Sequence, residues 1–412
     1  MPILQYPQKY VSLIKKLLSD DVQSFIKNHQ LVDPHKILLK HQFVSGLPVS
    51  VVVDQLIGRR KAQERFPTWH RQDTIVYPPA LNVEQASSER AACIKIEFLQ
   101  NKMGDLSKKT LVDLTGGFGV DSYFFSKIFK TVFFVEPNSA LLQISAHNHR
   151  ILGSSNIQYY NTSAERFLNS PPKDSFDIIF IDPSRRITGG KKVFSLTQCE
   201  PNVVALQQRI LMHSSNLLVK ASPLLDIQVG LNELRFVKEV VISAIQNECK
   251  ELLFFCEQNF ESEPTITAIN ENGRDANFSF LWSEERAAEI RDSDPLEYLY
   301  EPNASLLKAG AFKTLSVVFD LPKLHPNTHL LTSSAFNDQF PGRVFQIESI
   351  VSDSKKLIEH FEDGKANIFT RNYPLTVNEI RKKYSLKDGG DKYLIGCSGL
   401  NKKFLLVARR VR

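Results

Sequence analysis

The chain has 412 residues, 42% hydrophobic and 23% charged, with ten histidines and five cysteines. This is ordinary globular usage at a length of roughly two to four domains, which excludes a small disulfide-stapled module, extended disorder and a collagen-like repeat. The net charge of +6 is unevenly spread: from Arg371 to Arg412 eleven Lys or Arg face three acidic residues, so the rest of the chain carries about −2. A polyanion-binding surface needs such an asymmetry, and a solvated basic face is the plain alternative.

The first residues, MPILQYPQKY, have no basic segment ahead of an apolar one and no small-residue cleavage site, so no secretory signal is expected. The longest apolar runs, Thr131 to Val135 and Phe176 to Ile181, fall far short of the ~20 residues that span a bilayer. Cys93, Cys199, Cys249, Cys256 and Cys397 are odd in number, scattered and never spaced as C-x-x-C. They favour a reducing, cytoplasmic setting without a zinc or iron–sulfur site. The histidines form no H-E-x-x-H pair, and His147-Asn-His149 lies within a predicted helix, so no metal and no membrane partner is expected.

Residues 1–82 read as an N-terminal helical region. Val11, Ile14, Leu17, Leu18, Val22, Phe25 and Ile26 recur at helical spacing, Asp33-Pro34 supplies a cap and a first-position proline, and a third helix is predicted over 48–66. Arg59, Arg60, Lys61 and Arg65 with Trp69 form either a basic patch or the usual positive charge of a helix C-terminus.

From about residue 83 the pattern becomes strand, helix, strand, helix. The segments 110–115, 131–136, 157–162, 176–182 and 216–222 are short and rich in β-branched or aromatic residues, with helices predicted over 120–129, 138–151 and 200–213. Such repetition means a parallel sheet with both faces covered, whose ligands bind at the carboxyl ends of the strands. Strand candidates within 236–283 are expected to form an antiparallel end of this sheet, closing a domain over 83–283. An acidic stretch from Glu284 to Glu297 reads as a surface helix, a small unit covers 284–335, and a basic α+β domain covers 336–412.

The strongest chemical signal is Asp113-Leu-Thr-Gly-Gly-Phe-Gly-Val-Asp121, a strand end followed by a glycine turn that opens a helix. Backbone can approach a ligand closely there, and amide groups are exposed at the helix start. Glu136, at the end of the next strand, can accept both hydroxyl protons of a ribose. Together these features indicate a nucleoside cofactor. Gly117-Phe-Gly119-Val-Asp-Ser122 is also a near miss to the dinucleotide fingerprint. Ser122 at its third position, and Asp113 where a pyrophosphate would be repelled and a cationic amino group favoured, argue for a sulfonium instead. Phe118 is a further candidate cofactor contact.

The second signal is Asp182-Pro183-Ser184-Arg185-Arg186 at the end of the fourth strand. Here the sequence resembles the class I S-adenosylmethionine-dependent methyltransferases, whose fourth strand often ends in D/N-P-P-Y. More closely it resembles a bacterial branch carrying a C-terminal THUMP-like domain, which shares the D-L-T-x-G-x-G-x-D turn, the D-P-x-R-R strand end and a later L-Y-E-P-x-A…K-A-G segment, Leu299 to Gly310 in this chain.

The resemblance implies an α/β fold with a Rossmann-like doubly wound methyltransferase sheet and small C-terminal α+β domains. It implies that Asp113, Thr115, Gly117 and Gly119 cradle the methionine part of S-adenosylmethionine and that Glu136 holds the ribose. Ser163-Ala164 would contact the adenine where relatives have Asp-Ala, and Gln85 and Ser88 would cap the carboxylate end. Asp182 and the Pro183 carbonyl would align an acceptor amine, with Ser184 in place of the second proline and Arg185 in place of the stacking aromatic. A guanidinium still stacks on a base or binds phosphate. Lys220-Ala-Ser222-Pro223 ends the fifth strand at the same edge and either lines the acceptor pocket or merely ends the strand. The expected activity is methylation of a base of RNA, tRNA or rRNA, gripped by the basic C-terminal domain. The alternatives are a methyltransferase acting on protein or a small molecule, and a non-catalytic RNA-binding protein that keeps a cofactor pocket.

Overall fold

The computed structural model describes residues 8–185, 195–351 and 357–412. The chain divides into two compact units, Met1–Lys238 with Leu253–Glu261, and Glu239–Leu252 with Ser262–Arg412. Among the described residues no helix is long and apolar enough to cross a membrane.

The first unit opens with helices Gln8–Leu17, Asp20–Asn28, Pro34–Lys40 and α1 (Val49–Arg65). The apolar spacing that runs from Val11 to Ile26 is interrupted at Ser19, which is extended ahead of Asp20 and Asp21, two acids that favour a new helix start. Asp33 caps the third helix by accepting from the His35 N–H at 2.9 Å, with Pro34 in the first turn. Val22, Ile26, Ile37, Val52, Val53 and Leu56 bury their helical faces together with Phe118, Val120 and Tyr123 of the glycine turn and its helix. The N-terminal helices therefore share a core with the sheet.

Two expectations are met differently here. Phe118 is buried against Phe66, Trp69 and Tyr77, with ring centroids 5.7, 6.4 and 6.2 Å away, and so anchors the glycine turn from below instead of facing a cofactor. The basic residues of α1 are used locally. Arg59 pairs with Asp73 and Lys61 with Glu84, while Arg60 donates to the Gln30 and Val32 carbonyls and Arg65 to those of Glu84 and Ala86. Trp69 is fully buried.

After α2 (Glu89–Met103), a helix with no counterpart among the predicted elements, strands and helices alternate: β1 (Thr110–Asp113), α3 (Val120–Phe125), β2 (Thr131–Val135), α4 (Ser139–Ile151), β3 (Ile157–Tyr160), α5 (Ala164–Asn169), β4 (Ile178–Ile181), α6 (Val203–His213) and β5 (Asn216–Ala221). β1 pairs in parallel with β2 and β4, β2 with β3, and β4 with β5, giving the order β5-β4-β1-β2-β3. Helices cover such a sheet on both sides, which is why its strands read as continuous apolar runs. β2 and β3 lie on one side of β1 and β4 and β5 on the other, so the crevice opens at the carboxyl ends of β1 and β4.

β6 (Val237–Ile245) and β7 (Glu248–Glu257) contribute residues to both units. In the second unit β6 pairs in parallel with β8 (Thr265–Glu271), and β8 pairs antiparallel with β9 (Phe278–Leu281). The expected antiparallel end therefore holds for β8 with β9, while β6 and β8 depart from it by running parallel. The left-handed residues Gln246 and Asn247 turn the chain back into β7, and a second reversal returns β8 in the direction of β6. The acidic stretch is helical only over Trp282–Ala287, where the Glu284 side chain accepts from the Leu281 N–H.

The rest of the second unit is a six-stranded sheet of β10 (Tyr298–Pro302), β11 (Leu331–Ser333), β12 (Gly342–Ile350), β13 (Asn367–Arg371), β14 (Lys392–Ser398) and β15 (Lys403–Arg410), in the order β11-β10-β12-β15-β14-β13. Antiparallel pairing of β10 with β12 joins the segments expected as 284–335 and 336–412. Helix α7 (Ala304–Ala309) follows β10. The parallel pair β13 and β14 needs a crossover, which α8 (Val377–Tyr384) supplies behind a Thr376–Glu379 capping box.

Candidate active site

The glycine turn is built for close backbone approach. Gly116 donates its N–H to the Val135 carbonyl at 2.8 Å, and a Cβ there would lie 2.3 Å from the Phe134 ring. Gly117 (φ 57°) and Gly119 (φ 84°) are left-handed, a conformation that other residues adopt only with strain. Ser145 and His149, four residues apart on one face of α4, reach the turn together. Ser145 Oγ donates to the Gly117 carbonyl at 2.9 Å, and His149 Nε2 donates to that of Gly119 at 2.8 Å while its Nδ1 accepts from the Tyr159 hydroxyl at 3.0 Å. Burial pushes the His149 imidazole down to about 4, so it acts as a neutral donor. Asn148 between them clasps Val76 through both its N–H and its carbonyl. Within the His-Asn-His string it is thus His149 that braces the turn, while His147 meets the Thr74 carbonyl at 2.9 Å.

Two acids flank this turn. Glu136 is buried. Its Oε2 accepts from the Gly117 N–H at 2.9 Å and its Oε1 from the Asn138 N–H at 2.7 Å, which orients the carboxylate and leaves a second lone pair on each oxygen. Burial raises its pKa against those two bonds. Asp113 is 1% exposed; Oδ2 accepts from Ser122 Oγ at 2.6 Å and Oδ1 from the Thr115 N–H at 3.0 Å. Burial pushes Asp113 up to about 7, opposed by the Ser122 and Thr115 bonds and helped by the nearby carboxylates of Asp121 and Asp182.

A raised native pKa means that the unfolded chain gives up this proton first, so the associated stability is complete below the ordinary value of 3.8 and is lost as pH rises through about 7. Thermal melting followed from pH 5 to pH 8 should show a declining melting temperature, and Asp113→Asn should remove most of that slope. Equal slopes in the two proteins would eliminate Asp113 as the source.

At the end of β4 the Asp182 N–H donates to Thr115 Oγ1 at 2.7 Å, tying the two central strand ends together. Lys220 of β5, 11% exposed, holds Asp182 Oδ2 at 2.5 Å, while the Asp182 side chain stays one-third exposed. Lys220 thus orients this carboxylate from the neighbouring strand, a function that the strand-end sequence alone did not disclose. Pro183 is buried, and Ser184 Oγ donates to the Glu200 carbonyl at 3.1 Å where 184–185 pairs with 199–200. The Arg185 side chain and Arg186 lie outside the described residues.

The remaining candidates stand around this edge. Ser163 caps α5 by accepting from the Arg166 N–H at 3.4 Å, and Ala164 is buried behind it. Ser88 caps α2 through the Ala91 N–H, and Gln85 is exposed at the end of Ala80–Gln85. Their segment is brought to the turn by a residue not anticipated. Ser87 Oγ donates to Asp121 Oδ2 at 2.6 Å, and fully buried Lys95 lies 3.2 Å from Asp121 Oδ1. A serine pair in a loop carries no sequence mark of which hydroxyl turns inward.

A doubly wound sheet with a glycine turn after β1, an acid ending β2 and Asp-Pro ending β4 is a Rossmann-like methyltransferase architecture. Over 99% of each chain it is similar to a solved structure described as a candidate methyltransferase from Porphyromonas gingivalis W83, with 28% identity and a TM-score of 0.83. The C-terminal sequence matches two family profiles, a ferredoxin-like domain over 298–341 and a THUMP-domain-like module over 342–410.

Two more solved structures overlap the chain in part. A candidate methyltransferase from Streptococcus mutans in complex with S-adenosylhomocysteine (SAH) covers 39% of this chain and 96% of its own, at 14% identity and TM-score 0.30. The 16S rRNA N2 G1207 methyltransferase of T. thermophilus covers 41% and 43%, at 14% and 0.32. The chain matches no curated protein in sequence.

Proposed function

We propose that this protein is an S-adenosylmethionine-dependent methyltransferase acting on a base of RNA. The observation that carries the reading is the partly exposed Asp182 carboxylate at the switch point, tied through Thr115 to the glycine turn and oriented by Lys220.

The residues at this edge fit such a cofactor. Gly117 has no atom but the Thr115 carbonyl within 4 Å of where a side chain would begin, so its backbone is open to a close neighbour. The Glu136 carboxylate has acceptor capacity for two hydroxyls, Asp113 offers negative charge to a cationic amino group, and Ser163 with Ala164 borders the position of a base. Gln85 and Ser88, held near by the Ser87–Asp121 contact, would cap the carboxylate end. When bound, the cofactor supplies an electrophilic methyl group on a sulfonium. The chain's contribution is positioning and charge, since in-line displacement needs no nucleophilic side chain. Asp182 Oδ1 and the Pro183 carbonyl accept from an exocyclic amine and aim its lone pair, while Lys220 keeps Oδ2 occupied.

RNA as the acceptor is supported by the THUMP-like profile and by the basic C-terminal residues. Some of that charge is spent on partners: Arg409 and Lys392 flank Glu348, and Arg381 meets Asp388. Lys382, Lys387 and Lys403 have no ion pair among the described residues, and Lys383 lies over the Tyr384 ring.

Total RNA from a deletion strain, incubated with the protein and methyl-labelled cofactor, should take up label into one nucleoside identifiable by mass spectrometry. Label entering protein instead would replace the RNA reading. Tight RNA binding with no label anywhere would leave a binding protein.

A further inference from the structure

The Leu299-Tyr-Glu-Pro-Asn-Ala segment has no part in the site above, yet it buries a charge. Glu301 on β10 is 2% exposed and sits between two arginines. Its Oε2 accepts from Arg343 Nε on β12 at 2.6 Å, and its Oε1 from Arg371 NH2 on β13 at 2.5 Å. Both guanidinium groups lie over the Phe369 ring, at 5.2 and 5.5 Å, and Arg343 also lies over Phe345 at 5.6 Å. Arg371 spends one further donor on the Thr370 carbonyl at 3.0 Å.

One buried carboxylate needs one cation. The second arginine leaves a net positive charge and sets two like charges side by side, an arrangement that costs energy unless an anion completes it. The Glu301 bonds and the neighbouring rings hold both guanidinium groups, so their unused N–H donors are kept in place, and the two side chains remain 28% and 36% exposed.

A neighbouring histidine senses the charge of Arg371. His329 stacks on Phe312 at 3.6 Å, is left-handed at φ 53°, and has a buried Nδ1 with no hydrogen-bond partner. Burial, Lys323 and Arg371 together push its imidazole down to about 4. Buried Lys323 gives its Nζ to the Pro326 carbonyl at 2.9 Å, with the carboxylates of Glu285 and Asp292 nearby.

We propose that Arg343 and Arg371, clamped by Glu301, form a binding site for a backbone phosphate of the RNA substrate. The inference rests on the RNA reading above and adds a specific contact to it. A forked guanidinium pair matches the oxygens of a phosphate, and each phosphate contact appears in the salt dependence of binding.

The test is fluorescence anisotropy of labelled bulk tRNA with the full chain, from 50 to 300 mM KCl, for the wild type, Arg371→Gln and Arg371→Lys. Arg371→Gln should weaken binding about tenfold near 100 mM and lower the log–log salt slope by about one, with Arg371→Lys in between. Arg343 still neutralises Glu301 in both variants, and Arg343→Lys provides a second test that keeps a cation on Glu301. A merely structural arginine would lower the melting temperature without altering the salt slope. Unchanged affinity and slope in Arg371→Gln and Arg343→Lys, with tRNA bound by the wild type, would overturn this site and leave the RNA reading standing. Failure of the wild type to bind either bulk tRNA or bulk rRNA would overturn both.

Discussion

Asp182→Ala should abolish methyl transfer while leaving affinity for SAH within about twofold. The carboxylate lies at the end of β4, and its proposed contribution is to hold an acceptor amine in line. Removing one such preorganised group typically costs about 100- to 1,000-fold in turnover. The glycine turn and Glu136 do not depend on the Asp182 side chain, because Thr115 Oγ1 accepts from the residue's backbone N–H, which alanine retains. Lys220→Met should have a smaller effect of the same kind, since Asp182 would remain but lose the partner on Oδ2. Single-turnover rates with labelled cofactor, beside calorimetry with SAH, separate the two quantities. A variant that keeps turnover, or loses turnover and SAH affinity in equal measure, would remove Asp182 from the acceptor side of the reaction.

The opposite signature is expected in the glycine turn. Gly119→Ala would place a Cβ 2.5 Å from His149 Nε2 in a backbone already at φ 84°. Left-handed backbone costs a non-glycine residue about 1–2 kcal/mol, and displacing the buried imidazole also breaks its bond to the Gly119 carbonyl. Cofactor affinity should fall at least 100-fold, with a lowered melting temperature. Gly117→Ala at φ 57° meets only the Thr115 carbonyl, at an ordinary 3.7 Å, and carries the conformational strain alone, so its melting temperature should fall less. Gly116→Ala drives a Cβ to 2.3 Å from the Phe134 ring and should be the least stable of the three. Differential scanning fluorimetry with and without SAH orders them. An unaltered SAH affinity in Gly119→Ala would detach the turn from cofactor binding.

The placement of the glycine turn and its two acids was legible because it is local. Asp113, the glycines and Glu136 lie at the ends of two adjacent strands, and a strand–turn–helix pattern brings such residues to one edge wherever the sheet is parallel. The helix start at Asp33-Pro34 is similarly written in neighbouring residues, whereas the break at Ser19 is hidden by apolar spacing that continues across it. Phe118 misled because position in the turn fixes where a residue sits, while the direction of its ring depends on which core is nearer. The N-terminal aromatics Phe66, Trp69 and Tyr77 supply that core from about fifty residues upstream. The parallel pairing of β6 with β8 was missed for a related reason, since apolar runs in either direction look alike.

By itself, the sequence determined that this protein is an alternating α/β chain with a glycine turn, two acids at strand ends and a basic C-terminus, because periodicity and turn chemistry act over a few residues. Only the tertiary structure decided that Lys220 grips Asp182 across 38 residues, that Ser145 and His149 brace the turn, and that Glu301 meets Arg371 across 70. In the last case β13 lies four strands from β10 in the sheet order. Strand order and curvature come from the packing of whole layers, and no local pattern encodes which buried charges they will bring face to face.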